Sequence, residues 1–116
     1  MPADGFPVAM VSGVPVVATP EEVDVTNADG LRVALLDASG NGHKRFVVDM
    51  TNTRFCDSAG LHALVTAHRR AVDEDRELLL AISGAAVLRV FTLSGLDHVI
   101  PCFASLDEAL GHTAVR

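Results

Sequence analysis

Apolar positions near the start of the chain predict a hairpin followed by a helix. Residues 6–18 are rich in valine, and the short segments 9–12 and 14–17 flank a glycine, which is typical of two short strands joined by a tight turn. Four apolar residues then recur at helical spacing: Leu31, Ala34, Leu35 and Ala38. Either Thr26 or Asn27 can cap this predicted helix, because both side chains can accept a hydrogen bond from a backbone N–H.

The rest of the chain alternates apolar runs with amphipathic segments. Nearly continuous apolar runs at 46–50 and 78–82 predict strands that are covered on both faces. A helix is predicted from Ser58 to about Asp75, and five residues form its apolar face: Leu61, Leu64, Val65, His68 and Val72. Three more elements are predicted after it: a helix that ends at Gly95, a strand at 99–103 and a helix capped by Ser105.

This order of elements predicts an α/β fold. Strands that are joined by helices pair in parallel through right-handed crossovers, and the first hairpin adds an antiparallel pair. We therefore expect a single domain over residues 1–116, with a mixed, mostly parallel sheet, an N-terminal hairpin and about four helices. Residues 1–5 are expected to form a flexible tail.

Composition and charge exclude several classes of function. The net charge of −6 repels a phosphate backbone, so we expect no nucleic-acid partner. No stretch approaches the roughly 20 apolar residues of a membrane helix, and the N-terminal residues lack the features of a signal peptide. We therefore expect a cytoplasmic protein without a membrane partner. In that setting Cys56 and Cys102 are interpreted as buried thiols rather than as a disulfide.

The segment of residues 49–61 offers the clearest candidate chemistry. It joins a predicted buried strand to the start of a helix, where Asp57 or Ser58 can serve as N-cap. Small residues, Ala59 and Gly60, keep the approach to the Ser58 hydroxyl open. A glycine in a helix costs about 1 kcal/mol relative to alanine, so we expect either access or close packing to require Gly60. A capping serine is the simplest role that these features alone support.

Two short motifs in this order of elements carry a resemblance to a known family. Asp57-Ser58-Ala59-Gly60-Leu61, after the strand that contains Asp49, resembles the central motif of STAS domains of the anti-sigma factor antagonist type. Upstream, Glu22-Val23-Asp24 with Thr26-Asn27 resembles the Glu–apolar–Asp segment that precedes the first helix in that family. The resemblance covers nearly all of the chain.

The resemblance implies a protein switch rather than an enzyme, with no cofactor. In that family the unphosphorylated domain binds an anti-sigma factor that is also a serine kinase, and a sigma factor is thereby released. The kinase, which itself binds ATP, phosphorylates the hydroxyl after the motif aspartate, here Ser58, and the complex dissociates. A phosphatase is the further partner that such a cycle implies. Asp24 corresponds to the upstream aspartate beside that site, and Ala59 replaces a second hydroxyl residue found in many members.

The partner is expected to contact both motif segments. The expected contact residues are Asp24, Thr26, Asn27, Asp57, Ser58, Ala59, Gly60, Leu61 and His62. Together with Glu21 and Glu22 they form an acidic face. A phosphate on Ser58 would face the first-turn N–H groups of a helix, which favour anions, so the fold is expected to tolerate it. In an interface the same phosphate would add repulsion and a desolvation cost.

Other functions are less well supported by the residues. A STAS scaffold or ligand-sensing module that is not phosphorylated remains the alternative. A hydrolase nucleophile at Ser58 is disfavoured because no glycine stands two residues before it and no strand ends directly at it. The five histidines are spread along the chain: His43, His62, His68, His98 and His112. His68 is expected to be a satisfied core histidine, and His62 to be exposed at the contact face.

Metal and nucleotide sites are not predicted. His62 and His68 are six residues apart and so lie on different faces of a helix, and the chain has no Cys-x-x-Cys pair. It also lacks a glycine-rich phosphate loop, so ATP is expected on the partner. The cations Arg69, Arg70 and Arg76 are interpreted as a solvated helix face.

Overall fold

The structure, a computed structural model, describes residues 6–39 and 42–112. Its elements, in chain order, are β1 (Val8–Val11), β2 (Val14–Ala18), β3 (Glu22–Val23), α1 (Ala28–Ser39), β4 (Arg45–Asp49), β5 (Phe55–Cys56), α2 (Ser58–Asp73), β6 (Glu77–Ala81), α3 (Ala85–Ser94), a 3-10 turn (Leu96–His98), β7 (Cys102–Phe103) and α4 (Leu106–Gly111). The predicted α/β fold is confirmed. The expected tail at residues 1–5 lies outside the described residues.

Five strands form the main sheet in the order β1-β2-β4-β6-β7. β1 and β2 are antiparallel, and the other neighbours are parallel, which confirms a mixed, mostly parallel sheet with an N-terminal hairpin. The hairpin turn places Ser12 at φ 54° and Gly13 at φ 78°. Positive φ at both turn residues matches the right-handed twist of the two flanking strands.

The core lies on both faces of this sheet. Alternate residues of β4 and β6, such as Phe46 and Leu80, pack with α1, α2 and α3, while Val47 and Leu79 pack with α4. All three residues Phe46, Val47 and Val48 are fully buried, as the continuous apolar run predicts.

A second, two-stranded sheet forms from two segments in which no strand was predicted. β3 and β5 pair in parallel, with Glu22 opposite Phe55 and Val23 opposite Cys56. We call this pair the β3–β5 ribbon. Each strand has two residues, which is too short to show the alternating pattern by which strands are found in a sequence.

Helix α2 buries a different face from the one predicted. Its buried residues are Gly60, Ala63, Leu64, Ala67 and Ala71. Of the predicted stripe only Leu64 is fully buried, and Val72 is 57% exposed. Small side chains allow the helix to approach α1 and the sheet closely, and an alanine face is a weaker sequence signal than larger apolar residues. His68 is half-buried, and its Nδ1 is buried without a hydrogen-bond partner, so the prediction of a satisfied core histidine is wrong.

Three other details depart from the sequence predictions. Arg76 is half-buried rather than solvated, and its guanidinium donates to the backbone oxygens of Ser39 and His43. The predicted strand at 99–103 begins only at Cys102, because Gly95 at φ 81° leads into a 3-10 turn first. Both cysteines are free, but only Cys56 is buried, whereas Cys102 is half-buried. None of the helices within 6–39 and 42–112 has the length and apolarity to cross a bilayer.

Candidate functional site

The β3–β5 ribbon brings the two sequence motifs side by side. Its last pair is Val23 with Cys56, and the Asp57 N–H donates to the Val23 oxygen at 3.0 Å. At the other end of the ribbon, the Arg54 N–H donates to the Glu21 oxygen at 2.7 Å. Asp24 and Asp57 therefore directly follow the paired residues Val23 and Cys56, although 32 residues lie between the two aspartates in the sequence.

Asp24 organises the loop between the ribbon and α1. Its Oδ1 accepts hydrogen bonds from the Thr26 N–H at 2.9 Å and from the Thr26 hydroxyl at 2.5 Å. Asn27 closes the loop, because its amide accepts from the Asp24 N–H and donates to the Glu22 oxygen, both at 2.9 Å. The Thr26 hydroxyl and then the Thr26 N–H lower the pKa of Asp24 below its ordinary value. Asp24 is thus a fixed negative charge at the end of the ribbon.

Asp57, rather than Ser58, is the N-cap of α2. Its Oδ1 accepts from the N–H groups of Ala59 at 2.9 Å and Gly60 at 3.1 Å. Ser58 is the first helical residue, its side chain is exposed, and the described part of the chain offers its hydroxyl no hydrogen-bond partner. The structure therefore presents a free hydroxyl beside the capping carboxylate.

Gly60 is required by close packing between α2 and the ribbon. A Cβ at this position would lie 2.7 Å from the Cys56 Sγ and 2.8 Å from a Val23 methyl carbon. Of the two expected reasons for this glycine, the structure supports packing. Burial, and then the charge of Asp57, raise the pKa of the Cys56 thiol to about 11. The thiol is therefore protonated at neutral pH, as expected for a structural cysteine.

The remaining predicted contact residues line the start of α2. Ala59 and Leu61 are half-buried, and His62 is exposed, as predicted. His62 lines a shallow groove of about 180 Å³ between α1 and α2, together with Arg32 and Thr66. No hydrogen bond joins Ser58 to a histidine in the ranges that the structure covers, so the serine lacks the activating base that a nucleophile needs.

Two apolar residues of this surface were not predicted. Val25, in the Asp24 loop, is 75% exposed, and Phe55, in the ribbon, is 51% exposed. Apolar patches rimmed by polar residues mark protein contact sites, and aromatic residues are enriched in them. The only signal in the sequence is that each residue lies beside or close to a motif residue.

Charge on the ribbon surface is mainly acidic. Glu21 and Glu22 are exposed beside the carboxylates of Asp24 and Asp57, and Arg54 adds one exposed cation. Among the described residues, no group of three His, Cys, Asp or Glu side chains could hold a metal ion. The arrangement suits contact with another protein: an acidic rim, two exposed apolar side chains and a free serine hydroxyl.

Comparison with known proteins defines the class. The family model for the STAS domain matches residues 6–109, so this chain belongs to the STAS domain family. One relative carries the name anti-sigma factor antagonist. BtrV of Bordetella bronchiseptica, so named, is 27% identical over 106 residues, which are 91% of this chain and 84% of that protein.

Solved structures agree with this assignment. An anti-sigma factor antagonist from Mycobacterium paratuberculosis has a TM-score of 0.83 and 28% identity, over 90% of this chain and 89% of that one. The anti-sigma factor antagonist SpoIIAA in its unphosphorylated form has a TM-score of 0.76 and 21% identity, over 91% of this chain and 93% of that one. At that lower identity the second comparison shows a shared fold.

Proposed function

We propose that this chain is a phosphorylation-controlled anti-sigma factor antagonist of the bacterial cytoplasm. The unphosphorylated domain binds an anti-sigma factor serine kinase through the surface around the β3–β5 ribbon, and a sigma factor is released. Phosphorylation of Ser58 by that kinase ends the complex, and a phosphatase restores it. The observation that carries the proposal is the free, exposed Ser58 hydroxyl next to Asp57, with Asp24 joined to the same site by the ribbon.

The fold can carry a phosphate on Ser58 without rearrangement. Ser58 is exposed at the N-terminus of a 16-residue helix, where the helix dipole favours an anion. Asp57 already holds the N–H groups of Ala59 and Gly60, so the phosphate would not find the free first-turn donors that the sequence led us to expect. It would therefore remain at the surface rather than become part of the helix cap.

The same phosphate is unfavourable in a complex. It would bring a charge of about −1.5 to −2 next to the carboxylates of Asp57 and Asp24, in a surface that contacts the partner. A loss of about 3 kcal/mol in binding free energy corresponds to roughly a 100-fold weaker complex. Because the phosphate is exposed in the free domain, it weakens binding to the partner without lowering the stability of the folded domain.

Exposed apolar residues supply contact area for the partner. Val25 and Phe55 supply apolar contact area within the acidic surface, and aromatic residues frequently dominate the binding energy of an interface. The acidic residues favour a basic patch on the partner and speed association through charge attraction. The kinase surface that fits is therefore basic at its rim, with an apolar pocket for Phe55.

The first experiment tests modification. The chain is incubated with its anti-sigma factor kinase and ATP, digested and analysed by mass spectrometry. We expect one phosphate, on Ser58, and none in Ser58→Ala. Absence of modification at saturating kinase, or a phosphate elsewhere that persists in Ser58→Ala, contradicts the proposal.

The second experiment tests the switch. Binding of the kinase is measured by calorimetry for Ser58→Ala, Ser58→Asp and the matched control Thr92→Asp, which adds the same charge at an exposed position of α3. We expect Ser58→Ala and Thr92→Asp to bind like the wild type. Ser58→Asp carries less charge than a phosphate and is expected to bind about 10- to 100-fold more weakly. Equal affinity for Ser58→Asp and Thr92→Asp would refute the switch.

A further inference from the structure

The far end of α2 from Ser58 borders a cleft of about 710 Å³. Lys44, Arg45 and Arg76 contribute three cations to its lining, and Val72, Val99 and Pro101 contribute an apolar wall. Sites for small organic ligands combine a mainly apolar surface with a few polar groups, in volumes of roughly 300–1,000 Å³. This cleft has a volume in that range, and more of its lining residues are charged or polar than apolar, which favours a charged ligand.

The cleft is separate from the proposed kinase contact. Ser58 begins α2, and Val72 lies 14 residues later in the same helix. At 1.5 Å of rise per residue, about 21 Å of helix lies between them. A ligand in the cleft would therefore leave Ser58 and the ribbon accessible.

Two cations of the cleft, Lys44 and Arg45, have hydrogen-bond donors that are not used within the described part of the chain. The Lys44 ammonium has no hydrogen bond or ion pair among residues 6–39 and 42–112. Arg45 uses one guanidinium nitrogen to donate to the His112 oxygen, which leaves donors for a second acceptor. In a chain with a net charge of −6, this grouping of three cations is a local exception, offset in the lining only by Asp75 and Glu77.

An apolar wall beside these charges is exposed to solvent. Val72 is 57% exposed and Val99 is 52% exposed. Both line the cleft, so a flat apolar group that entered it would remove their surface from water. A bare inorganic anion would leave this wall uncovered.

We propose that this cleft binds a small organic anion that consists of a carboxylate or phosphate group and an apolar ring or chain. The anionic group lies against Lys44 and Arg45, and the apolar part covers Val72 and Val99. The proposal does not depend on phosphorylation of Ser58, because the two sites lie at opposite ends of α2.

Lys44 is the only lysine of the chain, which allows a direct test. Pyridoxal 5′-phosphate has a phosphate, a ring with donors and an aldehyde that reacts with an amine. The aldehyde and the Lys44 amine form an imine and release water, and borohydride then delivers hydride to the imine carbon while the nitrogen takes a proton from solvent. Mass spectrometry of the digested full chain measures the label on Lys44 and, as an internal reference, on the N-terminal amine.

We expect labelling of Lys44 to saturate, with half-saturation on the order of 0.1–1 mM, while labelling of the N-terminal amine rises linearly. Phenyl phosphate and phenylacetate are the two competitors that distinguish a phosphate ligand from a carboxylate ligand. At least one of them should protect Lys44 at about a tenfold lower concentration than inorganic phosphate does, because only the aromatic anions cover the apolar wall.

Val99→Glu tests the wall without touching the reactive amine. It should raise the half-saturating concentration at least about tenfold, since it places a negative charge in the cleft. Leu93→Glu is the matched control, because Leu93 is 79% exposed and does not line the cleft, and it should label like the wild type. If Val99→Glu does not fold, Val72→Glu replaces it. Unsaturable labelling of Lys44, equal protection by inorganic phosphate, or unchanged labelling in the Glu variant overturns the proposal.

Discussion

In the main sheet the central strands β4 and β6 bury every residue of 46–48 and 78–80, whereas each strand of the β3–β5 ribbon buries one residue and exposes the other. The buried residues of the ribbon, Val23 and Cys56, pack into the core. Its exposed residues, Glu22 and Phe55, face outward with the proposed contact surface. The β4–β6 pair and the ribbon are both parallel, but the first contributes to the core and the second positions side chains of the proposed contact surface.

The difference teaches where substitutions are tolerated. A change in the main sheet removes packing from the core on one of its two faces and lowers the stability of the whole domain. A change on the outer side of the ribbon leaves the core intact and alters only what a partner meets. The ribbon is nevertheless not independent of the core, because Gly60 of α2 packs directly against Val23 and Cys56.

The same substitution in the two sheets tests this comparison most strongly. Phe46→Ala, in β4, should lower the free energy of unfolding by about 3–5 kcal/mol, because Phe46 is fully buried. Phe55→Ala, in the ribbon, should lower it by less than about 1 kcal/mol, because that ring is 51% exposed. Urea denaturation of both variants measures the two values.

For binding affinity, Phe55→Ala should have the larger effect of the two substitutions. Phe55→Ala is expected to weaken the kinase complex by about tenfold or more, because it removes an exposed aromatic side chain from the proposed contact. Isothermal titration calorimetry, at a temperature at which the variant is folded, measures this affinity. Wild-type affinity for Phe55→Ala would show that recognition does not use the outer side of the ribbon.

The next largest effect is expected where α2 meets the ribbon. Gly60→Ala should destabilise the domain by about 1–3 kcal/mol, because the new methyl would overlap Cys56 and Val23. Gly111→Ala, in α4, is the control: a Cβ there would have no neighbour within 4 Å, and alanine is the better helix former. Thermal unfolding should therefore separate the two variants in opposite directions. A neutral or stabilising Gly60→Ala would contradict the packing role of this glycine.

The cap of α2 comes next in size. Asp57→Ala should cost about 1 kcal/mol of unfolding free energy, since the N–H groups of Ala59 and Gly60 lose their acceptor. Asp57→Asn keeps an oxygen acceptor and should retain most of that stability. Chemical denaturation at neutral pH distinguishes the two substitutions, and equal losses would mean that the charge rather than the hydrogen bonds is responsible.

The smallest effect concerns the exposed Asp24 loop. The pKa of Asp24 is lowered in the folded state, so its contribution to stability is present above the unfolded value and is lost as the pH falls through the folded one. Thr26→Val removes the hydroxyl donor and should raise the pKa of Asp24 toward its ordinary value. An NMR titration of the Asp24 carboxyl measures the shift, with Thr66→Val as control. An unchanged or lower pKa in Thr26→Val would contradict the assignment.

The main sheet was predictable from the sequence, and the ribbon was not. The runs at 46–50 and 78–82 are apolar because their strands are covered on both faces, and this pattern survives in the sequence alone. A strand of two residues is too short to show an alternating apolar pattern. The pairing of β3 with β5 also depends on a long crossover that includes α1 and β4. The buried face of α2 was missed for a related reason, because Ala63, Ala67 and Ala71 pack closely without being strongly apolar.

At the candidate site, the sequence suggested residues but not their arrangement. The resemblance to a family located Asp24, Asp57 and Ser58, and either of the last two could have been the cap. The choice of Asp57 depends on backbone geometry at the start of α2, with φ −95° and ψ −173°. The exposure of Phe55 depends on which side of the ribbon faces the helix, which is a tertiary property.

Parallel pairing of β3 with β5 also has a consequence for the timing of modification. The two strands are separated by α1 and β4, so their pairing closes a long loop, which costs less entropy once that intervening chain has folded. An unfolded or nascent chain would display Ser58 without Asp24 beside it. An enzyme that reads both segments together would therefore act on finished molecules and pass over incomplete ones, so the ribbon would serve as a check on the maturity of its substrate.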